Sequence, residues 1–483
     1  MNICPFIVQR PPFFSINQLG RIEEAMLRIL EEVGIAILDE KILEQLRSCG
    51  FQSKGNRAFI HRKRVSEFLA TERERNGNQF SEVPQPIEPS SYKIGVSIIE
   101  YAQWVHDIAS DKIVPFDTER LIEATKLLDV LSISGVPGCP TDVPPPLQPV
   151  VQYWVSATYS KHGRRRVDPK SLGTLPYIME MGEVLGNPLR HLPIYIFSPL
   201  TLGSESLRCV LAFKNKLSPL TKGARGLSSV GVSNMPSVGC TAPINIGDAY
   251  ALSAAEVIGS AILLKEIIDL HIDWGIGLFP IDLRTLAMVF GSPENFLLQL
   301  ATSEVSAYFH GTRWYPAAGN IHTNAKLPGA QSCAEKASLM TAGALLGARG
   351  FGSIGLLSLD EVFSAEQLIY DLEIRDHVQR LIQGVVGDCD PERCLKDIKE
   401  GLQQKSFVAI DSTLNEYRQF YWHPNLFDRQ FFSAWEGEGA KTNRQKAHAM
   451  IRELLRQHEY ELETELRREL DKILAKARAE LLG

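Results

Sequence analysis

The chain has 483 residues, 44% hydrophobic and 22% charged, with a formal net charge of −6. That balance can bury a sizeable interior and carries no basic excess to attract phosphate backbones, so nucleic acid is not expected as a partner. No apolar run approaches the ~20 residues needed to cross a bilayer, and the leading MNICPFIVQRPPFF lacks a signal-peptide pattern, so no membrane is expected and the chain reads as cytoplasmic. The eight cysteines contain no C-x-x-C pair and are expected as thiols, with no histidine at zinc-ligand spacing from Cys389 and Cys394.

Leu19, Ile22, Met26, Ile29 and Val33 share one face at helical spacing, and Gly34 supplies the left-handed residue that ends a helix. IAIL then reads as a strand, ILEQLRSC as a helix closing at Gly50, FQSKGNRAFI as a hairpin around Gly55, and HRKRVSEFLATER as a further helix. Together these predict a small α+β module over residues 1–91, ending in an Asn-, Pro- and Ser-rich linker over 77–91. From 92 to 365 short apolar runs alternate with amphipathic patterns. YKIGVSIIE precedes a helix from Thr118, VLSISGV a Pro-rich loop, and LPIYIFSP a helix around SLRCVLAFKN. LTKGARGL, HIDWGIGLF, GTRWYPAAGN and ARGFGSIGLL bring the strand candidates close to eight. The fold class is therefore α/β, and the count predicts a closed (β/α)8 TIM barrel over 92–365 with its chemistry at the carboxyl ends of the strands.

Within this region Gly239–Ile268 opens a long helix of small residues, with Pro243 suited to its first position and Thr241 or Ala242 to the cap. The small residues predict close approach to a neighbouring strand. Asn245, Asp248 and Glu256 fit either a site or a solvated face. Residues 366–483 form a helical extension: Ala447, Met450, Ile451 and Leu454, then Leu462, Leu466, Leu470, Ile473, Leu474 and Ala477, make stripes that pack on the barrel or on a second subunit. A homo-oligomer is expected.

Gly350, Gly352 and Gly355 make a GFGSIG run inside an apolar, strand-like segment, the wrong setting for a dinucleotide, and no P-loop, G-x-S-x-G or H-E-x-x-H occurs. Rings and polar groups do gather in the expected barrel-end loops. Trp314, Tyr315, Asn320, His322, Asn324 and Lys326 lie in RWYPAAGNIHTNAK, Phe279 in DWGIGLFP, and Tyr101 and Trp104 in EYAQWVHD. Ring faces attract quaternary ammonium ions at ~0.5–2 kcal/mol per contact; core packing is the other use of such residues.

The segments RIEEAMLRILEEVGI, GCTAPINIGDAYALSAAEVIG, DLRTLAMVFGSPE, HTNAKLPGAQSCAEKASLMTAGALLGARG, SAEQLIYDLEI and DSTLNEYRQFYWHPNLFDR occur in an order and spacing that resembles the trimethylamine methyltransferase family. The resemblance spans nearly the whole chain. It implies a (β/α)8 barrel that moves a methyl group from an amine to cobalt(I) on a cognate corrinoid protein. The methylcobalamin-type corrinoid is then supplied by that partner, and no cofactor is bound tightly by the chain itself. The trimethylamine enzyme carries pyrrolysine in the region matching 320–335, where this chain has ordinary residues. It is thus similar to the branch acting on quaternary amines such as glycine betaine, proline betaine and carnitine. The family's T-D-x-K-x-x-D-x-Q pattern reads TNAKLPGAQ here: Lys326, Gln331 and Glu335 are kept, while Asn324 and Gly329 replace two carboxylates.

On this reading Trp314, Tyr315, Phe279, Tyr101 and Trp104 surround the ammonium, His322, Asn320 or Arg313 engages a substrate carboxylate, and Lys326 helps to position it. No general acid is needed, because the leaving amine is neutral. Two other readings stay open: a non-catalytic ligand-binding paralogue, suggested by Asn324 and Gly329, and a lyase using His322 and Lys326 as acid and base.

Overall fold

The computed structural model describes residues 6–81, 93–163, 171–213, 229–315, 319–385 and 389–483. The Ser15 hydroxyl caps α1 (Ile16–Arg28) by accepting from the Gln18 N–H, and Leu19, Ile22 and Met26 form its buried face. A π-turn, Ile29–Val33, carries the chain to Gly34, whose φ of +70° and position against the Ala58 carbonyl leave no room for a Cβ. Then come β1 (Ile35–Ile37), α2 (Glu40–Ser48), β2 (Gln52–Lys54), β3 (Arg57–Phe59) and α3 (Arg62–Arg75). β2 and β3 pair antiparallel as a hairpin across Gly55 and Asn56, and β1 pairs antiparallel with β3. The other edge of β1 pairs in parallel with Thr201–Leu202, so these leading elements are joined to the main body by backbone hydrogen bonds.

The body continues with β4 (Gly95–Val96), β5 (Trp104–Asp107), β6 (Lys112–Pro115), α4 (Thr118–Val130), α5 (Gln148–Tyr159), α6 (Leu175–Val184), β7 (His191–Ile196), β8 (Thr201–Leu202) and α7 (Glu205–Phe213). β9 (Ser229–Asn234), α8 (Ile246–Lys265), β10 (His271–Gly275), β11 (Ile281–Asp282), β12 (Ala287–Met288) and α9 (Pro293–His310) follow, then α10 (Ala330–Leu345), β13 (Gly350–Phe351), β14 (Leu356–Leu357), β15 (Val362–Phe363) and α11 (Ala365–Ile382).

Besides β1 with β8 and β5 with β15, parallel pairing falls into two arcs. In one, β9 lies between β7 and β10. In the other, β13 pairs with β4, and single bridges add Ser134 beside Ser97 and Asn320 beside Gly352. A helix follows every one of these seven parallel segments, the α/β alternation expected from the sequence. Among the described residues the arcs do not close into a ring. β5 and β6 form a hairpin that joins β14 and β15 in a separate mixed sheet. The expected strand LTKGARGL lies outside the described residues; β9, in which Val alternates with Gly and Ser, was not among the strand candidates. GTRWYPAAGN contributes only the Asn320 bridge.

Every residue of α8 from Ala249 to Leu264 is buried. The helix begins three residues later than the Pro243 reading places it. Asn245 is the cap, accepting from the Asp248 N–H, while the Thr241 hydroxyl is engaged by the Ser237 N–H at 2.8 Å. The close approach that its small residues foretold is real, but it is to side chains: a Cβ on Gly259 would lie 2.5 Å from both Leu30 and Ile35. α8 is long and apolar enough to cross a bilayer, yet 83% of that stretch is inside the protein, which makes it a core helix.

The chain ends in α12 (Pro391–Gln404), α13 (Asp411–Phe420), α14 (Phe432–Gly437), α15 (Asn443–Arg456) and α16 (Thr464–Leu482). α15 buries Ala447 and Ile451 against α4 and α11, and α16 buries Leu470, Ile473, Leu474 and Ala477 against α5 and α6. Of the two surfaces open to these stripes in the sequence, they cover the body.

Candidate functional site

Strand alternation gives the first arc two faces. Leu192, Ile194, Ile196, Val230 and Val232 enter the core shared with α8, which turns Pro193, Tyr195, Gly231, Ser233, Asp273 and Gly275 the other way. The register sets Tyr195 beside Ser233 and Ser233 beside Gly275. Two of three positions at that level are therefore small, and the Tyr195 ring is left 37% exposed; Phe197, two residues further toward the carboxyl end, is 52% exposed. Part-exposed rings are an unusual use of a parallel sheet, whose faces are ordinarily packed. The second arc is polar. A Cβ on Gly352 would come within 3.2 Å of the Asn320 amide oxygen and 4.0 Å of the Ser97 hydroxyl, so hydroxyl and amide groups line it.

The two arcs are joined beyond their carboxyl ends. Phe279 pairs with Ser237 through a backbone bridge, its ring lies 5.5 Å from Phe290, and Phe290 meets the His322 ring edge-on at 5.2 Å. His322 is buried. Its Nε2 is 2.8 Å from the Ser353 hydroxyl, while its Nδ1 has no hydrogen-bond partner. Burial first, and then the nearby Lys336 charge, push its pKa down to about 4, so the ring is neutral at physiological pH. In the tautomer where the Ser353 hydroxyl donates to Nε2, Nδ1 carries the proton and is a buried donor; in the other, Nε2–H donates to Ser353 and Nδ1 is a buried acceptor.

Beneath Ser353 lies a fully buried ion pair. Lys336 Nζ donates to Asp371 Oδ2 at 2.6 Å and to the Ser353 carbonyl at 3.0 Å. Asp371 also accepts from the Gly355 N–H at 2.7 Å and from Gln367 at 2.8 Å. Ser353 is thus held through its carbonyl while its hydroxyl orients His322. On the first arc, Glu256 of α8 is buried, not solvated, and accepts from Ser198, the Leu200 N–H and Asn234; desolvation raises its pKa.

Of the residues singled out in the sequence, Phe279 and His322 are brought together through Phe290. Asn320 is on the polar arc, and its N–H donates to Gln299. Lys326 is turned to Ser358, 2.6 Å away, which in turn donates to Glu361; the cation whose charge acts on His322 is Lys336. Trp314 requires a further correction. It is 2% exposed, its indole N–H donates to the Ser81 carbonyl, and the Arg10 guanidinium lies over its ring at 5.4 Å, so both its polar and its aromatic capacity are engaged within the chain. Trp104 is exposed on β5, where it pairs with Pro115 and Val362 in the mixed sheet; Tyr101 is half-buried three residues earlier. Tyr315 and Arg313 are exposed in the segment after α9.

Both departures from the family pattern have local reasons. Asn324 donates to the Met288 carbonyl at 2.8 Å and accepts from the Gly291 N–H at 3.0 Å, tying β12 and the residues after it to the His322 segment; a carboxylate could only accept. Gly329 precedes α10 at a φ of +149°, a conformation that side chains disfavour.

Strand–helix alternation defines an α/β protein, a class in which the carboxyl ends of the strands are the usual place for a ligand. The sequence pattern of the Trimethylamine methyltransferase (MTTB) family matches residues 4–162 and 214–482, and the chain belongs to that family, whose members are methyltransferases. It is 24% identical over 472 residues to Trimethylamine methyltransferase MttB of Methanosarcina barkeri, covering 92% of this chain and 91% of that one. It is 22% identical over 463 residues to Glycine betaine methyltransferase of Desulfitobacterium hafniense, covering 91% of each. Among solved structures, the Methanosarcina barkeri monomethylamine methyltransferase superposes with a TM-score of 0.41 at 10% identity, over 94% of this chain and 88% of that one.

Proposed function

We propose that the chain is a cytoplasmic enzyme that takes a methyl group from a betaine-like quaternary amine and passes it to the cobalt(I) of a corrinoid carried by a separate cognate protein. The two arcs belong, on this reading, to one (β/α)8 barrel. The observation that carries the proposal is the pair of part-exposed rings, Tyr195 and Phe197, at the carboxyl end of β7, with Ser233 beside Tyr195 and Gly275 beside Ser233. A quaternary ammonium has no N–H to donate, so ring faces are its natural holder, each contact contributing ~0.5–2 kcal/mol. The small neighbours leave room for its methyl groups, and the rings exclude water from the cation.

A betaine's carboxylate needs a donor at the other end. The partnerless Nδ1 of His322, walled by Phe290 and Phe279, supplies one, with Asn320 second. The corrinoid of the partner would supply the cobalt(I) nucleophile, and rings exposed by 37% and 52% leave a ligand held on them reachable by such a visitor. When the methyl carbon is attacked, the C–N electron pair leaves on nitrogen as a neutral tertiary amine. No proton moves, so this chain's residues need only hold, desolvate and orient the cation.

The test is to mix the chain with a cobalt(I) corrinoid and a panel of betaines, following cobalt(I) absorbance and the demethylated amine. Stoichiometric loss of the first with appearance of the second is expected for at least one betaine. Ligand binding without either change would instead favour the non-catalytic paralogue.

A further inference from the structure

We infer that Glu256 is the fixed counter-charge of the ligand site, a buried carboxylate answered by no cation of the chain, which makes the carboxyl ends of β7, β9 and β10 prefer a positively charged ligand to a neutral one of the same shape. The inference rests on the reading of that face as an amine site. Glu256 is 0% exposed and sits in α8 among Ala254, Ala255, Val257 and Ile258, all buried. Burying a carboxylate in such surroundings is costly unless its charge is met. Oε1 accepts from the Leu200 N–H at 2.9 Å, and Oε2 from the Ser198 hydroxyl at 2.8 Å and the Asn234 amide at 2.6 Å. All three donors are neutral, and no charged group among the described residues acts on it. By contrast, Glu304 and Asp371, equally out of water, are answered by Arg10 and Lys336. Glu373 is met by neutral donors too, but those are the amides of residues 425–427, which it holds against α11.

The donors fix where the Glu256 charge lies. Ser198 directly follows Phe197, and Asn234 directly follows Ser233. The Asn234 amide oxygen accepts from the Gly277 N–H, two residues beyond Gly275. The ends of all three strands are thus tied, directly or through Asn234, to one carboxylate. A purely structural tie would need acceptors, not a charge. Strand alternation turns Tyr195 and Ser233 away from α8, so the carboxylate acts through the sheet over roughly 10 Å, about one packed layer. At that distance and an effective dielectric constant of about 20, one unit charge changes the affinity for a monovalent cation by about 15-fold and leaves a neutral ligand unaffected.

Glycine betaine and 3,3-dimethylbutanoate share shape and carboxylate and differ by the one positive charge, carbon standing in place of nitrogen. Ring faces already favour a cation, so the change in the ratio of the two affinities is diagnostic, not its value. In calorimetry of the full chain, Glu256→Gln should shrink that ratio by about 15-fold, chiefly by weakening betaine. Glu256→Asp disturbs the same hydrogen bonds but keeps the charge, and should keep most of the ratio. Partial unfolding cancels, because both ligands are measured on one preparation. An unchanged ratio in Glu256→Gln, or a ratio lost equally in Glu256→Asp, overturns the inference while leaving betaine binding in place. A wild type that binds neither ligand overturns the amine reading and this inference with it. Should Glu256→Gln not fold, proton exchange by the wild type decides, measured in buffers of different ionisation enthalpy between about pH 5 and 7. An arriving cation favours the ionised carboxylate, so betaine should release protons on binding and the isostere should not. No release with betaine, or the same release with both, overturns the inference.

Discussion

Breaking the Lys336–Asp371 pair tests whether His322 is held by a buried electrostatic frame. Both side chains are 0% exposed, so removing one partner strands the other charge out of water, a loss of about 3–5 kcal/mol. The two single variants should differ. In Lys336→Met, Asp371 keeps donors from Gly355 and Gln367; in Asp371→Asn, Lys336 keeps the Ser353 carbonyl as its remaining anchor and the amide in place of a carboxylate. Asp371→Asn is therefore the costlier. With ~2.1 cal/mol/K of unfolding entropy per residue, a chain this long loses only about 1 °C of Tm per kcal/mol, so denaturant titration is the better assay. The double variant Lys336→Met/Asp371→Leu should recover most of the loss, because no charge remains to be stranded. Single variants costing under about 1 kcal/mol, or a double variant costing the sum of the two, would refute the reasoning. In Lys336→Met the His322 pKa should also rise from about 4, since one of its two depressing causes is gone; NMR titration of the ring reads this directly.

His322 itself makes stability depend on pH. Its folded pKa, about 4, lies below the usual 6.5, so the unfolded chain binds the extra proton first: the contribution is whole above pH 6.5 and is lost as pH falls toward 4. It amounts to about 3 kcal/mol between pH 7 and pH 4, and His322→Gln should remove that part of the slope in urea titrations; an unchanged slope counts against it. Tyr195→Ala and Phe197→Ala should each weaken betaine binding by about tenfold in calorimetry with no more than a small change in Tm, because both rings are solvent-exposed; a large Tm loss with normal binding would make them structural. Asn324→Asp, which restores the family residue, should cost about 1–3 kcal/mol by setting an acceptor against the Met288 carbonyl and a second charge near Glu335. Acid should relieve part of that cost, and a neutral or stabilising result would sink this account of the departure.

What could be read in the sequence is what local chemistry decides. Leu19, Ile22 and Met26 on the face of α1, the stop at Gly34 and the hairpin at Gly55 rest on local sequence and are present, whereas Val33, expected on the same face, lies in the π-turn and is 45% exposed. Present too are the stripes of α15 and α16, though the periodicity of a helix says only that a face will be covered, not by what. Trp314 shows where such reasoning stops. A tryptophan beside asparagine and histidine reads as a binding wall, but the groups that cover it, Arg10 and Ser81, are remote in sequence and carry no local signal. Lys336 was unremarkable as a lysine on a helix; only the fold reveals that it faces Asp371.

Tyr195 and Phe197 fall between these cases. LPIYIFSP shows that its residues alternate, and Leu192, Ile194 and Ile196 are as apolar as anything opposite them, so the pattern leaves the covered side undecided. The decision comes from α8, whose small residues let it settle against the aliphatic side of the arc, and from Ser233, which the register places beside Tyr195, with Gly275 one strand further on. A strand reading that compared neighbours across the sheet finds a ring followed by two small residues on the next two strands. β9 itself is a weak strand signal for the same reason: the serine and glycine that interrupt its valines put a small residue, Ser233, beside the tyrosine.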